Sequence, residues 1–192
     1  MDDFRLGKDQ LWITLDAWDD YVTRRVHLVA CGGTALSIQD IKESTKDVDF
    51  LVPDINEFKR LIDTIKKLGY SNVTQFGWSR GDQLIFDLFP GKRVYTTELL
   101  SSPGLKGNHI PIRSFKRIAV SALNDYDLII SKIFRCSQVD IDDCLALIGR
   151  RRKSFDEARL RKRFIETAQY DLNPERMISN LENLLRRVQH DR

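Results

Sequence analysis

Long apolar runs are missing from this sequence: no window approaches the roughly 18 uninterrupted apolar residues that a membrane-spanning helix needs. A membrane partner is therefore not expected. The opening residues MDDFRLGKDQ are acidic and polar where a secretory signal would be basic and then apolar, which predicts a cytoplasmic protein. Cysteine is scarce. Cys31, Cys136 and Cys144 form an odd set whose spacings match neither a zinc site nor a redox pair, so a disulfide framework is excluded and free thiols in a reducing compartment are expected. Internal repeats and low-complexity segments are absent too. What is present is 42% hydrophobic residues in 192, enough for one full-sized core or for one domain with a small helical appendage.

A large net charge is also lacking, since the formal total is +3. Its distribution is uneven. Residues 150–163, RRRKSFDEARLRKR, hold eight Lys/Arg against two Asp/Glu, so the rest of the chain is close to neutral or slightly acidic. A localised basic run suggests a polyanionic partner such as RNA or a nucleotide phosphate, with a solvated helix face as the plainer alternative.

Phe4, Leu11, Leu15, Trp18 and Val22 recur at near-helical spacing and predict an amphipathic opening helix. VHLVAC, residues 26–31, reads as a buried strand ending at Gly32-Gly33, followed by a short helix over 34–40. DVDFLV, residues 47–52, is a second strand stopped by Pro53. Asp54 should cap a helix that ends near Leu68, with Gly69 just past its end. NVTQFGW and QLIFDLF are expected as the two strands of a hairpin around Ser79-Arg80-Gly81-Asp82, and the glycine- and proline-broken stretch 90–110 as irregular loop. HIPIRSF and RIAVSAL are strand candidates. Beyond them, from the cap candidate Asn124, the chain reads as helix, including a capping box from Ser154 to Glu157 and a proline start at Asn173-Pro174. The expected fold is α+β: a small mixed sheet with flanking helices over residues 1–120, then a helical C-terminal region, 121–192.

Three features carry chemistry. Strand, Gly32-Gly33 and helix in succession outline a phosphate site, because adjacent glycines let backbone approach an anion without interference from a Cβ. Asp47 and Asp49 alternate with Val48 and Phe50, so two carboxylates share one face of a strand while two apolar groups anchor the other. Like charges that close repel unless a cation lies between them, and magnesium is the natural oxygen-seeking choice. Asp87 is flanked by Ile85, Phe86, Leu88 and Phe89, where an ionised carboxylate is costly without a partner. It becomes a third metal-binding acid if its strand lies beside that of Asp47.

The string LVACGGTALSIQDIKESTKDVDFLV resembles the signature of the polymerase-β-type nucleotidyltransferase superfamily, with thirteen residues between Gly33 and Asp47. Gly-Gly-Thr-Ala-Leu and Thr45 two residues before Asp47 are similar to the branch that includes AbiEii-type and MenA-type toxins. DYDLIISKIFRCSQVDIDDCLAL resembles that branch's lysine-bearing helix, with Lys132 as the matching lysine, Arg135 after it, and Asp140, Asp142 and Asp143 as candidate acids. The resemblance implies a polymerase-β-like nucleotidyltransferase fold and the transfer of NMP from an NTP such as ATP to an acceptor hydroxyl. It implies Gly32, Gly33 and Thr34 with Lys132 at the nucleotide, Asp47, Asp49 and Asp87 on two Mg2+ ions (or Mn2+), and Asp87 taking the acceptor's proton. An RNA or tRNA acceptor bound through 150–163, as for a toxin with an antitoxin protein partner, is the favoured expectation. A small-molecule or protein side-chain acceptor, and a non-catalytic nucleotide-binding module, stand as alternatives.

Overall fold

The computed structural model of the protein describes residues 7–81 and 84–190, so Phe4, Asp82 and Gln83 lie outside the described residues. The first helix, α1 (Lys8–Asp19), buries Leu11, Leu15 and Trp18, and Trp18 packs against Tyr70 and Phe86 with ring centroids 5.3 and 4.7 Å away. Its last residue, Asp19, is buried, and its carboxylate accepts the backbone N–H groups of Lys116, Arg117 and Ile118 at 3.1, 2.8 and 2.6 Å. Three such bonds compensate a charge that burial would otherwise penalise.

The apolar run after it forms β1 (Val26–Ala30), which leads through Gly32 into α2 (Gly32–Ile38). β2 (Val48–Val52) is buried along its whole length. Pro53 ends it, and the Asp54 side chain accepts from Asn56 N–H and Glu57 N–H to start α3 (Ile55–Lys67). Gly69 adopts φ +88° beyond that helix.

Residues 72–78, expected as one strand, fold back on themselves as β3 (Ser71–Asn72) and β4 (Gly77–Ser79). The hydroxyl of Thr74 accepts from Gly77 N–H at 2.8 Å and closes the turn. A Cβ on Gly77 would lie 2.4 Å from that hydroxyl, so glycine is required there. Leu84 and Ile85 lie outside the strand after the turn, which begins at Phe86: β5 (Phe86–Pro90) pairs antiparallel with β4. The stretch expected to be irregular contains a two-stranded hairpin, β6 (Arg93–Val94) with β7 (Thr97–Glu98), turning at Tyr95 with φ +49°.

β8 (His109–Ser114) and β9 (Ile118–Leu123) complete a seven-stranded mixed sheet of order β3-β4-β5-β2-β1-β9-β8. β1 runs parallel to β9 and antiparallel to β2, while β2 runs parallel to β5. Helices follow: α4 (Asp125–Arg135), capped by Asn124; α5 (Gln138–Arg150), with a capping box between Ser137 and Asp140; α6 (Glu157–Ala168); and α7 (Pro174–His190). The cap of α6 is Asp156, which accepts from Arg159 N–H, and not Ser154, whose hydroxyl turns back to the carbonyl of Arg151. α4 packs on α5, α6 and α7, and both α4 and α5 reach α2, which brings the helical region against the sheet half. Among the described residues no helix is long and apolar enough to cross a membrane.

Candidate active site

Parallel pairing of β2 with β5 sets Asp49 directly opposite Asp87. Cross-strand partners point to the same face, so the two carboxylates stand side by side. Asp49 is only 5% exposed and Asp87 is half-buried. The phenol of Tyr95 spans them, 2.7 Å from Asp49 Oδ1 and 3.1 Å from Asp87 Oδ2. A phenol carries one proton and can donate to one of these oxygens at a time. Burial, opposed by the Tyr95 hydrogen bond and reinforced by the charges of Asp87 and Asp47, pushes the Asp49 carboxyl up to about 7. Burial and the charge of Asp47 raise Asp87 as well. Burial, and then the charge of Asp49, hold the Tyr95 phenol well above its ordinary value, so at rest it is a neutral hydroxyl. Asp47 sits exposed just before β2, at the rim.

The glycine pair belongs to the same arrangement. Gly32 adopts φ +56°, and a Cβ there would lie 2.3 Å from Asp49 Oδ2; one on Gly33 would lie 2.6 Å from the Thr45 hydroxyl. Gly32 is buried against the carboxylate, whereas Gly33 lines a cleft of about 560 Å3 together with Asp47, Asp49 and Tyr95. Thr34 is wholly buried. Its hydroxyl accepts from Asp49 N–H at 2.9 Å and donates to the carbonyl of Asp47 at 3.2 Å, which fixes the backbone carrying both acids.

The opposite wall of this cleft comes from α4, α5 and the loop before β2. Lys132 is 2% exposed, with its ammonium 2.7 Å from Asp143 Oδ2 and 3.6 Å from Asp140 Oδ1. Lys42 donates to the other Asp143 oxygen at 2.8 Å, and Arg135 to Asp140 at 2.6 Å. Burial works against the charge of Asp140, but the Ser137 hydroxyl and Arg135 outweigh it and hold the carboxyl below its usual range. Asp142 faces outward and bonds Gln138 instead. Of the three candidate acids, Asp140 and Asp143 therefore line the cleft. Arg135 also lies over the Tyr95 ring, 4.8 Å from its centroid, and so joins the two walls.

Tyr95 and Lys42 carried no signal in the sequence: one lies in a glycine-broken stretch and the other in a polar loop, where periodicity says nothing about position. Only the fold brings them to Asp49 and Asp143.

The donors on the sheet side suit a divalent cation. Among the described residues no group of three or more His, Cys, Asp or Glu side chains is placed to hold a metal ion. Magnesium does not ask for one: it is commonly held by one or two carboxylates with substrate phosphates and water completing the shell. The all-oxygen set of Asp49 and Asp87 in register, with Asp47 at the rim, fits that open arrangement, and manganese accepts the same donors.

A second cavity of about 440 Å3 is lined by Arg93, Thr96, Glu98, Phe134, Tyr170 and Asp171, among others. These include Thr96 and Phe134, the chain neighbours of Tyr95 and Arg135. The basic run is largely engaged within the protein. Arg151 bonds Asp125 and Gln39, Arg161 pairs with Glu182 and Glu157, and Arg163 pairs with Asp127.

A mixed sheet presenting paired carboxylates beside a glycine turn defines the polymerase-β type of nucleotidyltransferase. The structure of ANT(2")-Ia in complex with adenylyl-2"-tobramycin shares this fold, with a TM-score of 0.57 at 13% identity over 85% of this chain and 100% of that one. An antigenic nucleotidyltransferase-like protein from Paracoccidioides brasiliensis matches with a TM-score of 0.48 at 14% identity, covering 93% of this chain and 95% of that one. No curated protein matches by sequence. The chain belongs to the family described as nucleotidyltransferase of unknown function (DUF6036), whose model matches residues 15–191, and it is an enzyme of that class.

Proposed function

We propose that this nucleotidyltransferase moves an NMP from an NTP, held with magnesium, to an acceptor hydroxyl in the cleft between β2–β5 and α4–α5. The observation that carries this reading is the Asp49–Asp87 register pair, two acids drawn out of water with a phenol between them. Asp47, Asp49 and Asp87 would hold the metal, which supplies neutralisation and polarisation of the phosphates when bound. Gly33, lacking a Cβ, lets the nucleotide come close to the backbone. Lys132, Lys42 and Arg135 give the facing wall its positive potential, and Asp140 and Asp143 keep those cations in place. Asp87, less buried than Asp49 and with its carboxyl raised by burial, is suited to take the acceptor's proton.

The second cavity and the internal pairing of Arg151, Arg161 and Arg163 favour a compact hydroxyl-bearing acceptor over RNA or tRNA. Support for RNA is reduced to exposed residues of the run such as Arg150 and Lys153. A toxin role with an antitoxin partner has the resemblance of the motifs as its support. The test is to incubate the protein with each α-labelled NTP and magnesium, adding total RNA, a panel of small polyols and amino sugars, or cell lysate. Label should pass to one fraction, and only with the metal. Magnesium-independent labelling, or full activity in Asp49→Asn, would sink the reading.

A further inference from the structure

We propose that Tyr95 is itself an acceptor, and that the enzyme transfers a nucleotidyl group to its own phenol. The assignment rests on the nucleotidyl-transfer reading above. An acceptor for this chemistry is a hydroxyl in contact with the carboxylate that takes its proton. Tyr95 Oη meets that description without any rearrangement of the chain: it lies 3.1 Å from Asp87 Oδ2 and 2.7 Å from Asp49 Oδ1, inside the cleft that Gly33 and Lys132 line.

Its backbone points the same way. Tyr95 holds φ +49° at the tip of the β6–β7 turn, a conformation that a bulky residue adopts only when its surroundings impose it. Phe89 packs edge-on against the ring at 4.7 Å, and the Arg135 guanidinium lies 4.8 Å over it. The hydroxyl is thus aimed at the acids by contacts on the ring, and Arg135 supplies positive charge beside the point where a phosphate would be joined.

In the transfer step the phenolic oxygen bonds to the α-phosphorus of an NTP, the bond from that phosphorus to the bridging oxygen breaks, and pyrophosphate leaves with the electron pair. The phenolic proton passes to Asp87. The product is a Tyr95 nucleotidyl phosphodiester, which covers both carboxylates and closes the site to other acceptors.

The experiment uses the full chain with magnesium and each NTP in turn, followed by intact-mass and fragment-mass spectrometry. The expected result is a mass increase of one NMP, located on Tyr95, and its loss in Tyr95→Phe. Calorimetry of magnesium–NTP binding and melting temperature with and without magnesium are measured on both proteins. Wild type that binds magnesium–NTP yet stays unmodified, or carries the adduct at another residue, overturns the assignment alone. Absence of magnesium–NTP binding overturns it together with the reading on which it rests. A Tyr95→Phe protein that loses the magnesium-induced rise in melting temperature along with the adduct identifies Tyr95 as a prop for the carboxylates and overturns the assignment. Retention of that rise with loss of the adduct supports it.

Discussion

Two groups of acids face each other across one cleft, and they are treated in opposite ways. Asp140 and Asp143 are matched by Lys132, Lys42 and Arg135 at hydrogen-bonding distance, and Asp140 is held ionised. Asp49 and Asp87 have a phenol between them and another acid, Asp47, at the rim, and both are pushed towards the neutral form. Burial alone does not explain the contrast, because both groups are withdrawn from water. The first group is completed by the chain, so it is architecture. The second has no such cation bonded to it among the described contacts, and on the function proposed above a metal from outside would complete it.

The largest effect should come from breaking the completed side. Lys132→Met leaves Asp143 and Asp140 buried with one cation fewer, and an orphaned buried charge of this kind costs about 3–5 kcal/mol. Urea unfolding should show that loss, and transfer should fall with it; a stability within about 1 kcal/mol of wild type, on the order of what surface changes give, would place the lysine outside the architecture.

Asp49→Asn should act in the reverse sense, abolishing transfer while stabilising the metal-free protein. The sign follows from linkage. A carboxyl raised to about 7 in the folded state binds its proton more tightly than in the unfolded chain. Metal-free stability is therefore greatest below the unfolded value near 4, declines as pH rises towards about 7, and is flat above. Across that pH window, at about 1.36 kcal/mol for each pH unit, the decline amounts to at most about 4 kcal/mol. Urea midpoints in EDTA from about pH 4 to about pH 8 should show the decline in wild type and a shallower one in Asp49→Asn. Magnesium should recover the wild-type loss on the alkaline side of that range and do little on the acid side.

Gly32→Ala tests whether the acids depend on the turn. Its φ of +56° and the 2.3 Å approach to Asp49 Oδ2 leave no room for a methyl group. Strain of about 1–3 kcal/mol is expected, and the displaced carboxylate should weaken magnesium binding, read by calorimetry. The smallest effect belongs to Asp142→Asn. That side chain faces solvent on the same helix as Asp140 and Asp143. Stability should stay within about 0.5 kcal/mol and transfer at wild-type rate, so a clear loss of activity would extend the site beyond the cleft.

Much of the sheet half was legible because its signals are local. β1 and β2 are short apolar runs bounded by glycine or proline, and Asp54 and Asn124 cap helices where polar side chains precede amphipathic segments. Alternation put Asp87 on a strand face, and pairing with Asp49 needed only the adjacency of β5 to β2. The antiparallel pairing of β4 with β5 was expected, but the hairpins β3–β4 and β6–β7 escaped. β3, β4, β6 and β7 have two or three residues each, too few for a period to register, so Tyr95 was hidden. The partners of the basic run were out of view for another reason: Arg151, Arg161 and Arg163 find Asp125, Glu182 and Asp127 across the fold, and a local charge count does not see them. The role of Thr34 escaped because a seven-residue helix with six buried residues gives side chains no single apolar face from which direction can be read.

The position of β9 has a bearing on how the protein is made. β1 is flanked on one side by β2 and on the other by β9, which arrives much later in the chain, at Ile118. While the ribosome is still extending the chain, Asp49 and Asp87 have already been synthesised, but the far edge of β1 carries unpaired backbone donors and acceptors until Ile118–Leu123 emerge. Asp19 waits over the same interval for the N–H groups of Lys116, Arg117 and Ile118. An open apolar edge on a nascent chain invites pairing with a neighbour. The edge is closed when β9 pairs with β1 and the Asp19 carboxylate accepts from the turn that delivers it, so the site-bearing sheet is completed by residues remote from the cleft.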